Sequence, residues 1–457
     1  MLGKTNHIHF VGIGGIGMSG MAELLHNLGF TVTGSDMSES ERTNQLKKIG
    51  IDVNIGHKSS KVIDSDVLVY SSAVKKNNKE ILIANNNNIP VIRRAEMLGE
   101  LLKVKSTSIA IAGTHGKTTT SSMLGCILVE ANLDPTLVIG GIVNEFGSNS
   151  MYGDGNLIVV EADEFDRTFL SLKPTIAVIN NLDLEHLDCY ENLDDLQSAF
   201  LKFANSVPFY GKICINVDQP NTSNLINLVK RPYITFGFSD NASIQAKNVL
   251  YNESHSSFDL YVKGIYSNRF NLELPGKHNI MNALAAISVC VELDINYDSI
   301  KRGLSKFKGV QRRFDIKYEL NNGIKLIDDY AHHPVEVDSV LNALKKGWKN
   351  RVISIFQPHL FSRTKNFHKQ FAKALFQSDI IIITEIYAAR ENPIKDISSK
   401  IIVEDLINLG HKKIKFLPNR NDVAQYVKNI AKENDLIITM GAGDIWREIE
   451  NIYKLLK

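Results

Sequence analysis

The stretch IAIAGTHGKTTTSSM, residues 109–123, sets an apolar strand, a glycine-bearing turn and a hydroxyl-rich helix in succession. At that junction Gly116, Lys117 and Thr118 offer what a nucleoside triphosphate needs. Backbone N–H groups wrap the anion, lysine brings a flexible point charge to the β- and γ-phosphates, and a hydroxyl can ligate Mg²⁺. The full G-x-x-x-x-G-K-[ST] spacing asks for glycine at position 111, where this chain has Ile111, so the loop is a variant of that pattern. Gly113, Thr114, His115, Gly116, Lys117, Thr118 and Thr119 are the predicted ATP contacts. A helix N-terminus with a chance lysine is the bland alternative.

Magnesium asks for further ligands beyond the phosphates. Residues 159–166, VVEADEFD, end an apolar strand in Glu161, Asp163, Glu164 and Asp166, and ligands gather at the carboxyl ends of parallel strands. Glu161 is the best placed, and the others read equally well as solvated or capping acids. Residues 179–190, INNLDLEHLDCY, end another strand in Asp183, Glu185, His186 and Asp188, where His186 is either a ligand or structural.

A second glycine turn lies at the N-terminus. In HFVGIGGIGMSG, residues 9–20, Gly12, Gly14 and Gly17 form G-x-G-x-x-G after a strand, and FTVTGSD ends in Asp36, near the ~20-residue spacing of a ribose-binding acid. Taken alone this predicts NAD and hydride chemistry. Met18, Met21, Ala22, Leu25 and Leu28 recur at helical spacing and are expected to pack on the sheet.

With 457 residues the chain exceeds the ~250–300 at which single cores stop growing, so several domains are expected. Short β-rich runs alternate with helical patterns in three series, which predicts three α/β domains with parallel sheets and boundaries near 105 and 315. A more hairpin-like patch falls near residues 231–274. The 52 basic and 50 acidic residues leave a net charge of +2, which gives no general attraction to polyanions and disfavours nucleic acid. Cys126, Cys189, Cys214 and Cys290 lack C-x-x-C spacing, which speaks against zinc and disulfides and fits a reducing cytoplasm. No signal-peptide pattern is present, and no run approaches the ~18–20 apolar residues of a membrane span.

GTHGKTTT, EADEFD, NNLDLEHLD, PGKHNIMNALAA, GVQRRFD and DDYAHHP follow in that order, and this set resembles the Mur ligase family across the full length. The N-terminal HFVGIGGIGMSGMA, with GSD and SSAV behind it, is similar to the branch that adds the first residue of the cell-wall peptide. The resemblance implies an N-terminal Rossmann-like UDP-binding domain (1–105), a central P-loop ATPase-type domain (106–315) and a C-terminal Rossmann-like domain (316–457) that takes the amino acid. The first turn would then hold UDP-N-acetylmuramate through Gly12, Gly14, Gly15, Ile16 and Gly17, with Asp36, Ser71 and Arg94 as weaker candidates. Arg93 and Arg94 can equally solvate a strand end.

The implied chemistry is ATP-driven activation of a carboxylate to an acyl phosphate, which L-alanine's amine then attacks. Lys117, Glu161, His186 and Arg313 are the implied catalytic residues. Thr118, Glu161 and His186 are the metal ligands, and His278, Asn279, Asn282, Arg313 and Asp329 the further ATP contacts. Arg312 is the near alternative to Arg313, and Asn282 can instead cap a helix. Arg363 is the first choice for clamping the amino acid's carboxylate, because its planar fork matches that group. Tyr330, His332, His359 and, more weakly, Arg390 would line the pocket. The implied partners are UDP-N-acetylmuramate and L-alanine, with no nucleic acid or membrane, in a monomer or weak homodimer. A recycling ligase of the same family that attaches a tripeptide, an NAD-linked oxidoreductase and a non-catalytic UDP-sugar sensor stand as alternatives.

Overall fold

The computed structural model describes residues 2–457 except 58–59, 72, 184–188 and 390. The chain forms two compact units. One comprises Met1–Lys247, Asp259–Phe270 and Met281–Phe307, the other Asn248–Phe258, Asn271–Ile280 and Lys308–Lys457.

Three sheets carry the architecture. The first has strands β1 (His7–Val11), β2 (Thr31–Asp36), β3 (Asp52–Ile55), β4 (Val67–Tyr70) and β5 (Val91–Arg93) in the order β3-β2-β1-β4-β5. All its pairings are parallel. That order reverses direction between β1 and β4, and open α/β sheets bind ligands outside the strand ends at such a point. The first glycine turn sits there, directly after Val11. The helix Ile16–Asn27 follows it and buries Met18, Met21, Ala22 and Leu25, with Leu28 partly buried, as its spacing predicts.

The central sheet joins β6 (Thr107–Ala112), β7 (Thr136–Val143), β8 (Ser148–Met151), β9 (Leu157–Ala162), β10 (Ile176–Ile179), β11 (Lys212–Asn216), β12 (Tyr233–Gly237), β13 (Ile244–Asn252), β14 (His255–Val262) and β15 (Ile265–Leu272). Their order is β15-β14-β13-β12-β11-β10-β6-β9-β7-β8. β6 lies between β10 and β9 with parallel registers, Ile179 beside Ala112 and Glu161 beside Ile111, so three strand ends converge on the loop that begins at Gly113. Strands buried on both faces read as apolar runs, which is why IAIA, IVV and IAVI lack alternation. The first two sheets share one core: Met97, Leu101 and Leu102 cluster with Val138, Ile158 and Phe169, and Phe169 meets Phe200 edge-on at 5.1 Å.

The third sheet belongs to the second unit. It orders β16 (Asp315–Glu319), β17 (Lys325–Asp329), β18 (Val352–Phe356), β19 (Ile380–Ile383), β20 (Ile414–Phe416) and β21 (Leu436–Met440) as β16-β17-β21-β18-β19-β20, with β16 alone antiparallel. At the amino ends of β18 and β21, away from any site, the Arg351 guanidinium grips the buried Asp435 carboxylate, with Nε–Oδ1 at 2.8 Å and Nη2–Oδ2 at 2.5 Å. Truncating one partner of a buried pair leaves the other charge desolvated. Arg351→Ala is therefore expected to cost the second unit about 2–4 kcal/mol, somewhat less than a fully stranded charge because the Lys432 N–H still reaches Asp435. An unchanged urea midpoint for that unit's transition would show the pair to be energetically idle.

Candidate functional site

At the first turn, the Asp36 carboxylate at the end of β2 accepts the Gly14 N–H at 2.8 Å. The acid thus braces the glycine turn itself. Ser71, after β4, stands over Gly12, where a Cβ would lie 3.0 Å from its Oγ. Arg94 opens the helix Arg94–Leu102 and lays its guanidinium against Gly17, which has room for it only because no side chain is there. The other face of Arg94 looks toward Asp163, 3.7 Å away. Gly15 precedes Ile16 as the N-cap, and no side chain caps the helix. Uncapped first-turn N–H groups beside an arginine suit an anion. Behind the sheet lies a buried polar group that sequence reasoning missed: Glu80 sits 3.6 Å from His9 and 3.2 Å from His57 and hydrogen-bonds Ser35.

At the second turn, Gly116 adopts φ 79°, a left-handed conformation that L side chains rarely take, and it ends the loop as N-cap of the helix Lys117–Glu130. Lys117 Nζ donates to the Gly113 carbonyl at 2.5 Å and to Glu164 Oε2 at 2.7 Å, and Glu164 is only 1% exposed. Thr118 Oγ1 donates to Glu161 Oε2 at 3.1 Å, and the Gly140 N–H on β7 reaches Glu161 Oε1 at 2.6 Å. A hydroxyl and a carboxylate beside each other at a strand end are oxygen donors of the kind Mg²⁺ takes, with phosphate oxygens and waters completing its shell. Thr119 is buried. His186 lies outside the described residues, as does Arg390. Among the described residues no group of three or more His, Cys, Asp or Glu side chains could hold a metal ion.

Two asparagines escaped the sequence reading. Asn181 brackets His115, taking its N–H at 2.7 Å and giving Nδ2 to its carbonyl at 3.0 Å. Asn180 donates to Thr120 Oγ1 at 2.9 Å. Both follow β10, whose register with β6 puts them alongside the loop. Thr114 Oγ1 closes the other side through the backbone of Asp183. Asn282 lies against Gly116 and accepts from Thr120 Oγ1 at 3.4 Å, so the structure puts it at the foot of the phosphate loop.

In the second unit, Asn279 spends its amide on the Pro275 carbonyl at 2.7 Å. Arg312 is bound to Asp328 at 3.0 Å and to the Gly441 carbonyl at 2.7 Å, while Arg313 reaches Glu336 at 3.4 Å and lies 5.2 Å from the Tyr330 ring. Tyr330, His332 and His359 form a chain of rings with centroids 5.2 and 6.0 Å apart, and Arg363 touches His359 at 3.4 Å. Tyr387, missed in the sequence, extends the chain by stacking on His359 at 5.8 Å.

Asp329 is buried and accepts the Phe314 and Ala331 N–H groups at 2.6 and 2.7 Å. Burial outweighs these bonds and nearby Arg313, and its carboxyl is pushed up to about 7 from 3.8. Burial and the Arg313 charge lower half-buried His278 to about 4 from 6.5. Between pH 4 and 6.5 the folded state thus carries a proton on Asp329 and none on His278, and the unfolded state the reverse. Equal proton counts make these two contributions to stability cancel across that window. Asp329→Asn removes the compensation. The second unit is then expected to gain stability as pH rises from 4 to 6.5, by up to about 1.4 kcal/mol per pH unit, in chemical denaturation against pH. A variant with the same pH dependence as the parent chain would refute both assignments.

Comparison with known proteins follows this layout from end to end. Residues 7–106 match the Mur ligase family catalytic domain, 111–290 the Mur ligase middle domain, and 312–443 the Mur ligase glutamate ligase domain. A UDP-N-acetylmuramate--L-alanine ligase of Pelobacter propionicus is 44% identical over 459 residues, covering 100% of this chain and 99% of that one. The crystal structure of the UDP-N-acetylmuramate-alanine ligase MurC from Thermotoga maritima is similar with a TM-score of 0.83 at 31% identity, over 98% of each chain. A murein peptide ligase from Psychrobacter arcticus has a TM-score of 0.71 at 25% identity, again over 98% of each. The similarity runs along whole chains, and this chain belongs to the Mur ligase family.

Proposed function

We propose that this chain joins L-alanine to the lactyl carboxylate of UDP-N-acetylmuramate, driven by ATP and releasing ADP and phosphate, as a step of peptidoglycan precursor synthesis. The observation that carries the reading is the presence of two phosphate turns in one chain, the first braced by Asp36 and the second armed with Lys117. A dehydrogenase has no use for the second. Full-length relatives named for this reaction support the same substrates. Residues 1–105 take the sugar nucleotide, 106–315 ATP and 316–457 the amino acid. The matched family domains support these limits. The enzyme acts in the cytoplasm as a monomer or weak homodimer, and among the described residues no helix is long and apolar enough to cross a membrane.

A carboxylate is a poor acyl donor at neutral pH, so activation precedes amide formation. A lactyl oxygen attacks the γ-phosphorus, the bond to ADP breaks, and an acyl phosphate forms. Alanine's amine then attacks the carbonyl carbon, phosphate departs with the C–O bond's electrons, and the amine loses its proton. The protein's part is positioning and charge neutralisation. Lys117, already fixed by Gly113 and Glu164, turns its ammonium to the transferring phosphoryl group. Thr118 and Glu161 would hold Mg²⁺, with His186 at a second ion, and the metal would supply Lewis-acid neutralisation of phosphate charge. Gly113, Thr114, His115, Gly116 and Thr119 surround the phosphates. Asn282, His278 and Asn279 serve the nucleotide, with His278 neutral at pH 7. Arg313 and Asp329 are the second unit's candidates for contacts to ATP, and Arg363 clamps alanine's carboxylate among Tyr330, His332 and His359. Gly12, Gly14, Gly15, Ile16, Gly17, Ser71 and Arg94 hold the UDP-sugar, and Asp36 shapes their turn.

Mass analysis of products formed with ATP, Mg²⁺, UDP-N-acetylmuramate and separate amino acids tests the reading, with an alanyl adduct expected. A product with a cell-wall tripeptide in place of alanine would transfer the chain to the recycling branch. Lys117→Ala is expected to lower turnover by at least ~10²-fold with UDP-N-acetylmuramate affinity near normal. Equal losses in both would remove the lysine from the phosphoryl site. Arg363→Lys is expected to raise the KM for alanine far more than that for ATP, and an unchanged alanine dependence would exclude the clamp.

A further inference from the structure

Asn149 is a polar residue in a strand, β8, and only 9% exposed. Asparagine is disfavoured in strands, and a buried amide needs hydrogen-bond partners. Both protons of its Nδ2 are committed. One goes to the carbonyl of Ile16, the first residue of the helix behind the first phosphate turn, at 2.8 Å, and the other to the carbonyl of Ile139 on β7 at 3.3 Å. The next residue, Gly140, donates its N–H to Glu161, which meets Thr118 of the second turn. One carboxamide thus joins the backbone behind one turn to the backbone that orients the other.

The remaining contacts of this junction are matched to it. Gly20 lies mid-helix, where glycine costs roughly 0.5–1 kcal/mol relative to alanine, and a Cβ there would sit 3.0 Å from Asn149 Nδ2 and 3.3 Å from the Ser150 Cβ. One turn further on, Glu23 accepts the Ser150 hydroxyl at 2.9 Å. The third glycine of GIGMSG, which phosphate binding leaves without a task, is thereby accounted for. We propose that Asn149 is a positioning residue that fixes the spacing between the sugar-nucleotide turn and the ATP turn, so that the acid held through the first meets the phosphoryl group presented by the second. This rests on the function proposed above. Transfer requires reacting atoms at about 3–3.5 Å, and a misplacement of ~1 Å can cost about 10²-fold.

Asn149→Ala and Asn149→Asp test it, the second replacing a donor by an acceptor that repels both carbonyls. Expected are separate dissociation constants for UDP-N-acetylmuramate and a non-hydrolysable ATP analogue within about threefold of the parent chain, with kcat lower by roughly 10- to 100-fold. An unchanged kcat overturns the proposal. So does a loss of both affinities in proportion to kcat, which marks a merely structural residue. Should these variants fail to fold, Ser150→Ala and Gly20→Ala carry the test, and normal kcat in both overturns it. A parent chain that makes no alanyl product defeats the functional reading instead. Hydrogen exchange without substrates then still decides the junction: Asn149→Ala should lose protection at Gly140 and in the first turn of the helix Ile16–Asn27, and retained protection at both sites refutes it.

Discussion

The ammonium of Lys117 is the group around which the central domain is arranged. A charge largely removed from water needs a partner, because isolated burial costs several kcal/mol. The structure supplies the Glu164 carboxylate at 2.7 Å and the Gly113 carbonyl at 2.5 Å. Glu164 is itself held, since its carbonyl accepts the Tyr190 hydroxyl at 2.7 Å and Tyr190 lies under the Arg167 guanidinium. In the proposed reaction a phosphate would meet a lysine whose direction these bonds already restrict, which would limit the reorganisation left for the moment of transfer. The left-handed Gly116 makes this possible by turning the chain so that residue 117 begins a helix at the convergence of β6, β9 and β10.

What could be read in the sequence follows from how local the cause is. Both glycine turns, their strands and the buried stripe of Met18, Met21, Ala22 and Leu25 depend on neighbours within a dozen residues, and spacing reveals them. The role of Glu164 depends on which of four acids in EADEFD points at a lysine 47 positions away, and spacing alone cannot rank them. Asn180 and Asn181 carry no spacing signal of their own, standing just before the acids and histidine of LDLEHLD. Only the register of β10 against β6 puts the asparagines beside His115 and Thr120. Asp36 shows a different limit. Its spacing marks an acid near ribose, whereas the structure shows its carboxylate engaged by the turn's own N–H. The resemblance to the Mur ligases, by contrast, was legible because six motifs in fixed order constrain far more than any one of them.

In the second unit the alternatives for the family arginine separate by what each side chain is tied to. Arg312 stands at φ 63° and is consumed by Asp328 and the Gly441 carbonyl, pinning the start of β16 to the end of β21. Arg313 lies on Tyr330 and reaches Glu336, which also caps the helix Pro334–Gly347 through the N–H groups of His332 and His333. Arg312 thus carries structural bonds, while both guanidinium groups face the Tyr330 ring, that of Arg312 at 4.9 Å and that of Arg313 at 5.2 Å.

The backbone around Arg363 gives a further argument for its assignment. Leu360 takes φ 68° and ψ 137°, a region that is costly for a branched side chain, at about 1–3 kcal/mol. The surroundings impose it: the Leu360 N–H is bound to the Tyr387 carbonyl at 3.0 Å and its own carbonyl accepts Thr364 Oγ1 at 2.9 Å. The sharp turn starts the helix Phe361–Leu375 immediately after His359, which places Arg363 in the first helical turn beside that histidine. A cation there opposes the helix dipole by roughly 0.3–1 kcal/mol, only part of which Glu391 offsets by capping Ser362. The strained Leu360 thus fixes where the helix starts and hence where Arg363 stands, and in the proposed reaction its planar fork at that place would match the incoming carboxylate.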